Sequence, residues 1–344
     1  DLLIFHMGES DREELECLVQ RPAESRPATI IVGPSGNMPF MRLAMQAGAR
    51  DYLGDPADGQ ELADALDRVQ QELRLAHPRE GKLIAVVSAK GGSGASFLAV
   101  NLAHIMAAQS HYATTLVDLD LQFGSLAQYL DLHPKSGLMR AMEMADDLDA
   151  VAADACMAKH KSALALLAPQ EDEVILSRDV SPGRLTRLLG LLQNNYDRIV
   201  VDVPRQIDEL NAVVYEQADQ VLIVMQQELA CLRDASRLRR LLTCELGIAP
   251  EILTTVVNRY DKRLPVELDD ICQSIGVPRD SIALIPNHYR CVAESINVGV
   301  PMAEHAHASA VTKSLLALEG QLGSEREAAE GAGLVQRTLR MMRG

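Results

Sequence analysis

The sequence lacks any apolar run near the roughly eighteen residues that a membrane-spanning helix needs, and it lacks an N-terminal signal peptide. We therefore expect no segment that crosses a membrane. Its six cysteines are widely scattered, with no Cys-x-x-Cys pair and no Cys/His cluster, so their spacing does not suggest a zinc site. Reduced, buried thiols in a cytoplasmic protein are the expectation for such cysteines.

Basic residues are also scarce. The chain has 33 Lys and Arg against 48 Asp and Glu, and its net charge is −15. A general DNA-binding surface needs clustered basic side chains for phosphate contacts, so nucleic acid is not an expected partner, although a local basic patch stays open. The 344 residues are enough for two domains, and the 47% of hydrophobic residues allows a sizeable core.

A glycine-rich turn between a strand and a helix is the most informative segment. An apolar strand at Ile84–Val87 leads into three glycines within four residues, and a helix is predicted to begin at Ser96. Glycines let backbone N–H groups point inward, and the helix dipole adds positive potential, so the segment predicts a phosphate-binding loop. We expect the phosphates to be bound by Gly91, Gly92, Ser93, Gly94, Ala95 and Ser96, with the Ser96 hydroxyl also on Mg²⁺. The alternative is a glycine turn without a ligand.

Two positions depart from the P-loop consensus Gly-x-x-x-x-Gly-Lys-Ser/Thr. Ala89 replaces the first glycine, and Ala95 replaces the lysine. The phosphate-binding lysine is therefore missing from its usual place, while Lys90 stands near the start of the loop.

Carboxylates follow two apolar strands. Asp118 and Asp120 come at and just after the end of one strand, and Asp202 ends another, with Pro204 behind it. Ligands of doubly wound sheets lie at the carboxyl ends of the strands, so these side chains are candidates for a magnesium site. A turn or a helix cap is the alternative role for a strand-end aspartate.

From residue 83 onward, strands and helices alternate, which predicts a doubly wound, mostly parallel sheet with helices on both faces. The predicted strands are Ile84–Val87, Thr115–Asp118, Leu164–Leu167, Ile199–Asp202, Gln220–Val224, Thr254–Val257 and Ile282–Ile285. Residues 1–76 read as three further strand–helix pairs, so the fold class is α/β throughout.

The loop and the motifs after it resemble the deviant Walker A box, Lys-Gly-Gly-x-Gly-Lys-Ser/Thr, and the later motifs of the MinD/ParA ATPases. The loss of the second lysine at Ala95 looks like the TadZ/CpaE branch of that family, which belongs to the Tad (Flp) pilus assembly machinery. The resemblance covers about residues 83–319, and it implies ATP and Mg²⁺ as cofactors.

The resemblance also implies roles for single residues. Lys90 matches the lysine that reaches the partner's nucleotide in a homodimer. Asp120 matches the carboxylate near the attacking water, and Asp118 the one that supports Mg²⁺. Asp202 matches the Walker B aspartate, in the outer shell of Mg²⁺. Two further matches concern the adenine base of ATP. Asn258 would bind the edge of the adenine through its amide, and Pro286 belongs to a loop that packs near the adenine.

The front of the chain resembles a degenerate response-regulator receiver domain, incomplete at its start. The phosphoacceptor position falls at about His6, and the usual Lys-Pro becomes Asp55-Pro56, so we expect no phosphorylation. The predicted organisation is a receiver-like domain at 1–76, a linker at 77–82, an ATPase domain at 83–319, and a tether with a basic tail at 320–344.

The tail residues 334–343 place five apolar side chains on one helical face and three arginines on the other. Such a helix binds a membrane surface or a partner, or it packs on its own domain. The favoured function is an ATP-binding, dimeric localisation factor for a Tad pilus machine, peripheral at the inner membrane or cell pole, with weak ATPase activity at most. Its implied partners are the pilus motor ATPase and inner-membrane platform proteins. The alternatives are a ParA/MinD-type positioning ATPase for DNA or cell division, and a nucleotide-free scaffold with a vestigial P-loop.

Overall fold

The structure is a computed structural model that describes residues 2–8, 15, 28–76, 81–145, 150–170, 175–176 and 180–322. The chain divides into two compact units, Asp1–Pro78 and Arg79–Gly344. The predicted tail helix at 334–343 lies outside the described residues. None of the described helices is both long enough and apolar enough to cross a membrane.

The first unit contains a parallel three-stranded sheet in the order β1-β2-β3. Its elements are β1 (Leu2–His6), β2 (Ala28–Pro34), α1 (Met38–Gln46), β3 (Ala49–Asp55) and α2 (Gly59–Ala76). Two small clusters form its core, one beneath α1 and one beneath α2. Asn37 begins α1 by accepting a hydrogen bond from the Phe40 N–H at 3.1 Å.

The second unit is built on an eight-stranded sheet in the order β11-β10-β9-β4-β8-β5-β7-β6. All neighbouring strands pair in parallel except β6 and β7, which are antiparallel. The strands are β4 (Lys82–Ser88), β5 (Thr114–Asp118), β6 (Ala158–Lys159), β7 (Ala165–Leu167), β8 (Arg198–Val203), β9 (Gln220–Met225), β10 (Leu253–Tyr260) and β11 (Ile282–Pro286). The predicted mostly parallel α/β sheet is confirmed, and every predicted strand overlaps an observed one.

Helices cover both faces of this sheet. They are α3 (Ala95–Ala108), α4 (Leu126–Tyr129), α5 (Leu138–Glu143), α6 (Ala150–Ala155), α7 (Pro182–Asn195), α8 (Glu209–Gln217), α9 (Leu229–Arg240), α10 (Leu268–Ile275), α11 (Tyr289–Asn297), α12 (Met302–His305) and α13 (310–322). Alternate side chains of β4 pack on opposite faces of the sheet. Leu83, Ala85 and Val87 belong to one core cluster, and Ile84 and Val86 belong to the other. A strand buried on both faces is the expected result of helices on either side of a parallel sheet.

Helix α3 is enclosed on all sides, and only Ser96 and Ala108 among its 14 residues are not fully buried. The buried Asn101 side chain connects it to the first residue of α12, because its Oδ1 accepts the Met302 N–H at 2.7 Å. The helix that begins after the glycine-rich loop therefore lies at the centre of the second unit.

Candidate functional site

The glycine-rich loop, residues 89–94, joins β4 to α3 in a tight turn with free space above it. Gly92 and Gly94 have φ values of 81° and 97°, which favour glycine, and Gly94 is the N-cap of α3. The Lys90 carbonyl accepts hydrogen bonds from the Ser93 N–H at 3.1 Å and from the Ser93 hydroxyl at 2.7 Å. A Cβ built at Gly91 or Gly92 would meet nothing within 4 Å, so there is room above the loop for a ligand. A helix N-terminus behind such a loop is suited to binding phosphate.

Side chains from two neighbouring strand ends hold the loop from outside. Asn258, on β10, donates from Nδ2 to the Ser93 carbonyl at 2.8 Å. Gln226, directly after β9, donates from Nε2 to the Gly92 carbonyl at 2.8 Å. A Cβ at Gly94 would lie 2.3 Å from Asn258 Nδ2, so this position needs glycine for contact as well as for conformation. The loop is thus fixed by the parallel strands beside it.

Three carboxylates gather on the other side of the loop. Asp118 is the last residue of β5 and Asp202 the last but one of the neighbouring β8, and the two are paired in register. Burial, followed by the nearby charge of Asp202, raises the pKa of Asp118 to about 7. Burial also raises the pKa of Asp202 to about 6, against a hydrogen bond from Ser96 that lowers it, and the Asp120 charge raises it further. Among the described residues, no lysine or arginine contributes to either shift.

The remaining contacts of these carboxylates are with backbone N–H groups. Asp118 accepts from the Asp120 N–H at 3.1 Å and from the Leu126 N–H at 3.2 Å. Asp120 accepts from the Phe123 N–H at 3.0 Å, which closes the turn after β5. The turn-forming role weighed for these aspartates is therefore present. It does not use up the acceptor capacity of the carboxylates, because each ionised oxygen has two lone pairs.

Two clefts flank the loop and share Ser88, Ala95 and Ser96 in their walls. One has a volume of about 360 Å³ and contains Asp120 and Asp202. The other has a volume of about 370 Å³ and contains Asn258 and Pro286. The structure therefore places most of the predicted phosphate, metal and base positions around one loop, with Asp120 and Asp202 in one cleft and amide and apolar groups in the other. Asp118 lines neither cleft but a smaller cavity of about 60 Å³.

Two predicted residues are engaged within the chain. Both polar ends of the Asn258 amide have partners, since Oδ1 accepts the Arg259 N–H at 2.9 Å while Nδ2 binds the loop. Reading an adenine edge would require one of these bonds to be exchanged. Lys90 forms an ion pair with Glu228 at 3.5 Å, in which both side chains are about half exposed.

Sequence reasoning missed three residues of the site. Gln226 contacts the loop directly, and Arg259 and Tyr289 line the cleft on the Asn258 side. The rule that ligands lie at the carboxyl ends of parallel strands could have indicated Gln226, because it follows β9 immediately. Tyr289 begins α11, three residues after β11, and no short motif marks it.

Comparisons with known proteins agree with this geometry. A family model described as an AAA domain matches residues 81–244. A putative septum site-determining protein MinD from Oltmannsiellopsis viridis is 30% identical over 229 residues, which are 64% of this chain and 69% of that protein. The chain belongs to the MinD/ParA family of P-loop ATPases.

Solved structures of MinD/ParA proteins have the same fold. A ParA family ATPase from Chlorobium tepidum aligns with a TM-score of 0.64 and 28% identity, over 69% of this chain and 98% of that one. MinD from Pyrococcus horikoshii, solved with Mg-ADP, aligns with a TM-score of 0.57 and 20% identity, over 70% of this chain and 96% of that one. Against the MinD/ParA loop pattern, this chain keeps Lys90 and Ser96 and has Ala95 in place of the second lysine.

Proposed function

We propose that this protein binds ATP with Mg²⁺, dimerises through the face that carries its nucleotide site, and acts as a positioning factor with slow or absent hydrolysis. The observation that carries the proposal is the group of buried aspartates beside the N-terminus of α3. Asp118 and Asp202 are buried next to each other with raised pKa values and with no basic partner among the described residues. A divalent cation is the counter-charge that such a pair lacks.

The residues present fit magnesium and nucleotide. Mg²⁺ prefers oxygen ligands and is commonly held by one or two carboxylates together with phosphates. Ser96 would bind it directly, Asp118 would support it, and Asp202 would act in the outer shell through Ser96. The ion would neutralise charge on the phosphates. Backbone N–H groups of residues 91–96 would surround those phosphates.

Catalytic power would be limited by Ala95. This side chain brings no cation to the transferring phosphate, and a lost charge at that position lowers transition-state stabilisation. We assign Asp120 to the attacking water, because it lies in the same cleft as Ser96 and Asp202. Lys90 would supply its charge to the partner's nucleotide after leaving Glu228, with which its half-exposed ammonium group forms an ion pair at 3.5 Å.

Exposed apolar side chains around the loop support dimerisation through this face. Phe123, Ile207 and Leu229 are exposed by 82%, 40% and 77%. They follow β5, β8 and β9 at the same end of the sheet as the loop. Large apolar groups left in water at one rim are typical of an interaction surface. A second copy of the chain is the occupant that would also bring Lys90 to a nucleotide.

The cellular role proposed here is the assembly or localisation of a Tad pilus machine at the inner membrane or cell pole. Two observations support it. Ala95 follows the pattern of the TadZ/CpaE branch, and the first unit brings together the two altered receiver positions, with His6 Nε2 3.3 Å from Asp55 Oδ2. The pilus motor ATPase and membrane platform proteins are the proposed partners, and residues 334–343 the proposed membrane contact.

The second candidate is a ParA/MinD-type role in placing DNA or the division site, which family membership favours. The two roles predict different partners. A gel-shift assay with non-specific DNA and ATP should show no binding if the pilus role holds, and retarded DNA would support partitioning.

Deleting residues 1–76 should spare ATP binding while disturbing localisation.

The central experiment measures ATP binding and mass together. Calorimetry with Mg-ATP should show binding, and light scattering should show a dimer with ATP. Leu229→Asp, at a position that lines neither cleft, should keep nucleotide binding and lose the dimer, while Leu264→Asp, on a loop before α10 and 42% exposed, should keep both. No ATP binding at millimolar concentration would refute the nucleotide proposal, and a monomer with ATP would refute the dimer.

A further inference from the structure

A cluster of two histidines and one glutamate lies away from the nucleotide site. His104 is on α3, His160 directly follows β6, and Glu304 is on α12. One possible ligand atom from each of the three lies within 4.8 Å of the others. His104 is eight residues beyond Ser96, which places the cluster about 12 Å along the helix from the glycine-rich loop. No residue of the cluster lines either cleft of the nucleotide site.

Contacts among the three side chains hold their possible ligand atoms close together. His104 Nε2 lies 2.9 Å from Glu304 Oε1, and Lys161 Nζ lies 2.6 Å from Glu304 Oε2. The two imidazole rings are 5.5 Å apart, edge to face. His160 Nδ1 lies 2.8 Å from the Ser162 hydroxyl. Nδ1 also accepts the Ser162 N–H at 3.2 Å, so the neutral ring carries its proton on Nε2. A metal at Nε2 requires that proton to move to Nδ1, where the Ser162 hydroxyl oxygen can accept the hydrogen bond, as outer-shell partners of metal-bound histidines do.

The donor set suits a metal as well. The His104 side chain is fully buried. Lys161 and His104 both contact the Glu304 carboxylate. Two neutral imidazoles and one carboxylate are a donor set used for Zn²⁺ with one position left to water.

We propose that His104, His160 and Glu304 form a binding site for a divalent transition-metal ion of the Zn²⁺ type. Bonds of about 2.0–2.2 Å in a tetrahedral site place ligand atoms about 3.3–3.6 Å apart. The 2.9 Å His104–Glu304 contact would open by about half an ångström to reach that spacing. Lys161 holds the second carboxylate oxygen and is 70% exposed on its side chain, so the entering metal would displace its ammonium group into water.

The site would fasten three parts of the chain that are distant in sequence. It would bind the P-loop helix to the segment after α11, which the Asn101–Met302 hydrogen bond already joins to α3. It would also hold the residues after β6, at the edge of the sheet. Metal binding here is independent of the nucleotide proposal, so the two are tested separately.

The test uses the full chain, stripped with a chelator and without nucleotide. Calorimetry with Zn²⁺ should show one site per chain, and Co²⁺ should produce visible absorption of a tetrahedral ion without the thiolate charge-transfer band that cysteine ligands give. His160→Ala and Glu304→Gln should each weaken binding by more than about 100-fold, because loss of an outer-shell partner alone costs about 10–100-fold. The control His307→Ala, at an exposed histidine just after α12, should bind the metal as tightly as wild type.

Lys161→Ala gives the most specific readout. Removing the competing cation should tighten Zn²⁺ and Co²⁺ binding, by on the order of tenfold, since the carboxylate then lacks a positive partner. A purely structural ion-pair cluster predicts no metal binding before or after this change. The proposal is overturned if wild type and Lys161→Ala both lack the Co²⁺ spectrum, or if folded His160→Ala, checked by circular dichroism, binds as tightly as wild type.

Discussion

The two buried aspartates should make the ligand-free protein less stable as pH rises, and replacing Asp118 by Asn should remove most of that effect. A carboxyl group whose pKa is raised in the folded state binds its proton more tightly there than in the unfolded chain. Its protonated form therefore stabilises the fold at low pH, and this contribution is lost as pH rises through the folded-state pKa. For Asp118 the relevant window lies between 3.8 and about 7.

The size of the effect follows from the two pKa values. With a folded pKa of about 7 against 3.8 when unfolded, Asp118 contributes about 2 kcal/mol at about pH 5.5 and almost nothing at about pH 8. Asp202, with a folded pKa of about 6, adds about 1 kcal/mol over the same range. The buried histidines His104 and His160 act in the opposite direction, because a lowered pKa favours the fold as pH rises.

Comparing the pH dependence of the free energy of unfolding between wild type and Asp118→Asn isolates the contribution of the Asp118 carboxyl group. Urea unfolding followed by far-UV circular dichroism, at about pH 5.5 and about pH 8, gives the pH dependence for each protein. The chain has no tryptophan, so fluorescence is a poor probe. Relative to wild type, Asp118→Asn should gain about 2 kcal/mol at the higher pH compared with the lower one. The exposed control Asp269→Asn should follow wild type. An unchanged pH dependence in Asp118→Asn would refute the buried-carboxylate account.

Three further predictions concern single positions. Gly94→Ala should abolish nucleotide binding and cost at least about 1–2 kcal/mol, because φ is 97° and the new Cβ would meet Asn258; Gly91→Ala, open at Cβ, is the stability control in urea unfolding. Ala95→Lys should raise ATP turnover in a phosphate-release assay, and an unchanged rate in a folded variant would contradict the missing-charge argument. After incubation with acetyl phosphate, mass spectrometry should find no phosphorylation in the unit that contains His6. A phosphorylated peptide from that unit would contradict the prediction that its receiver-like site is inactive.

The central sheet was predictable because its strands are apolar on both faces and end in recognisable residues. Ile84–Val87 and Ile199–Asp202 are short apolar runs typical of a strand covered on both faces, and the glycines after the first run mark the loop. The short β6 strand was missed. Its two residues, Ala158 and Lys159, carry no apolar pattern, and they pair with β7 only because the chain turns back there.

The site was predictable where chemistry is local in sequence, and unpredictable where it depends on contact across the fold. The loop and its Ser96 follow from a continuous motif. The Gln226 and Asn258 bonds to loop carbonyls join residues more than 130 positions apart, so no spacing indicates them. The His104–Glu304 pair spans 200 positions. Tertiary packing alone brings such groups together.

The enclosure of α3 has a consequence for reading genetic screens of this protein. A helix without a solvent face tolerates few substitutions, so a saturation library should show an unbroken block of loss at 97–107. Those losses would reflect reduced cellular abundance rather than a defective site. Variants at Phe123 and Leu229, which lie in water, should instead accumulate normally and fail only in activity. Measuring protein level beside phenotype would separate the two classes.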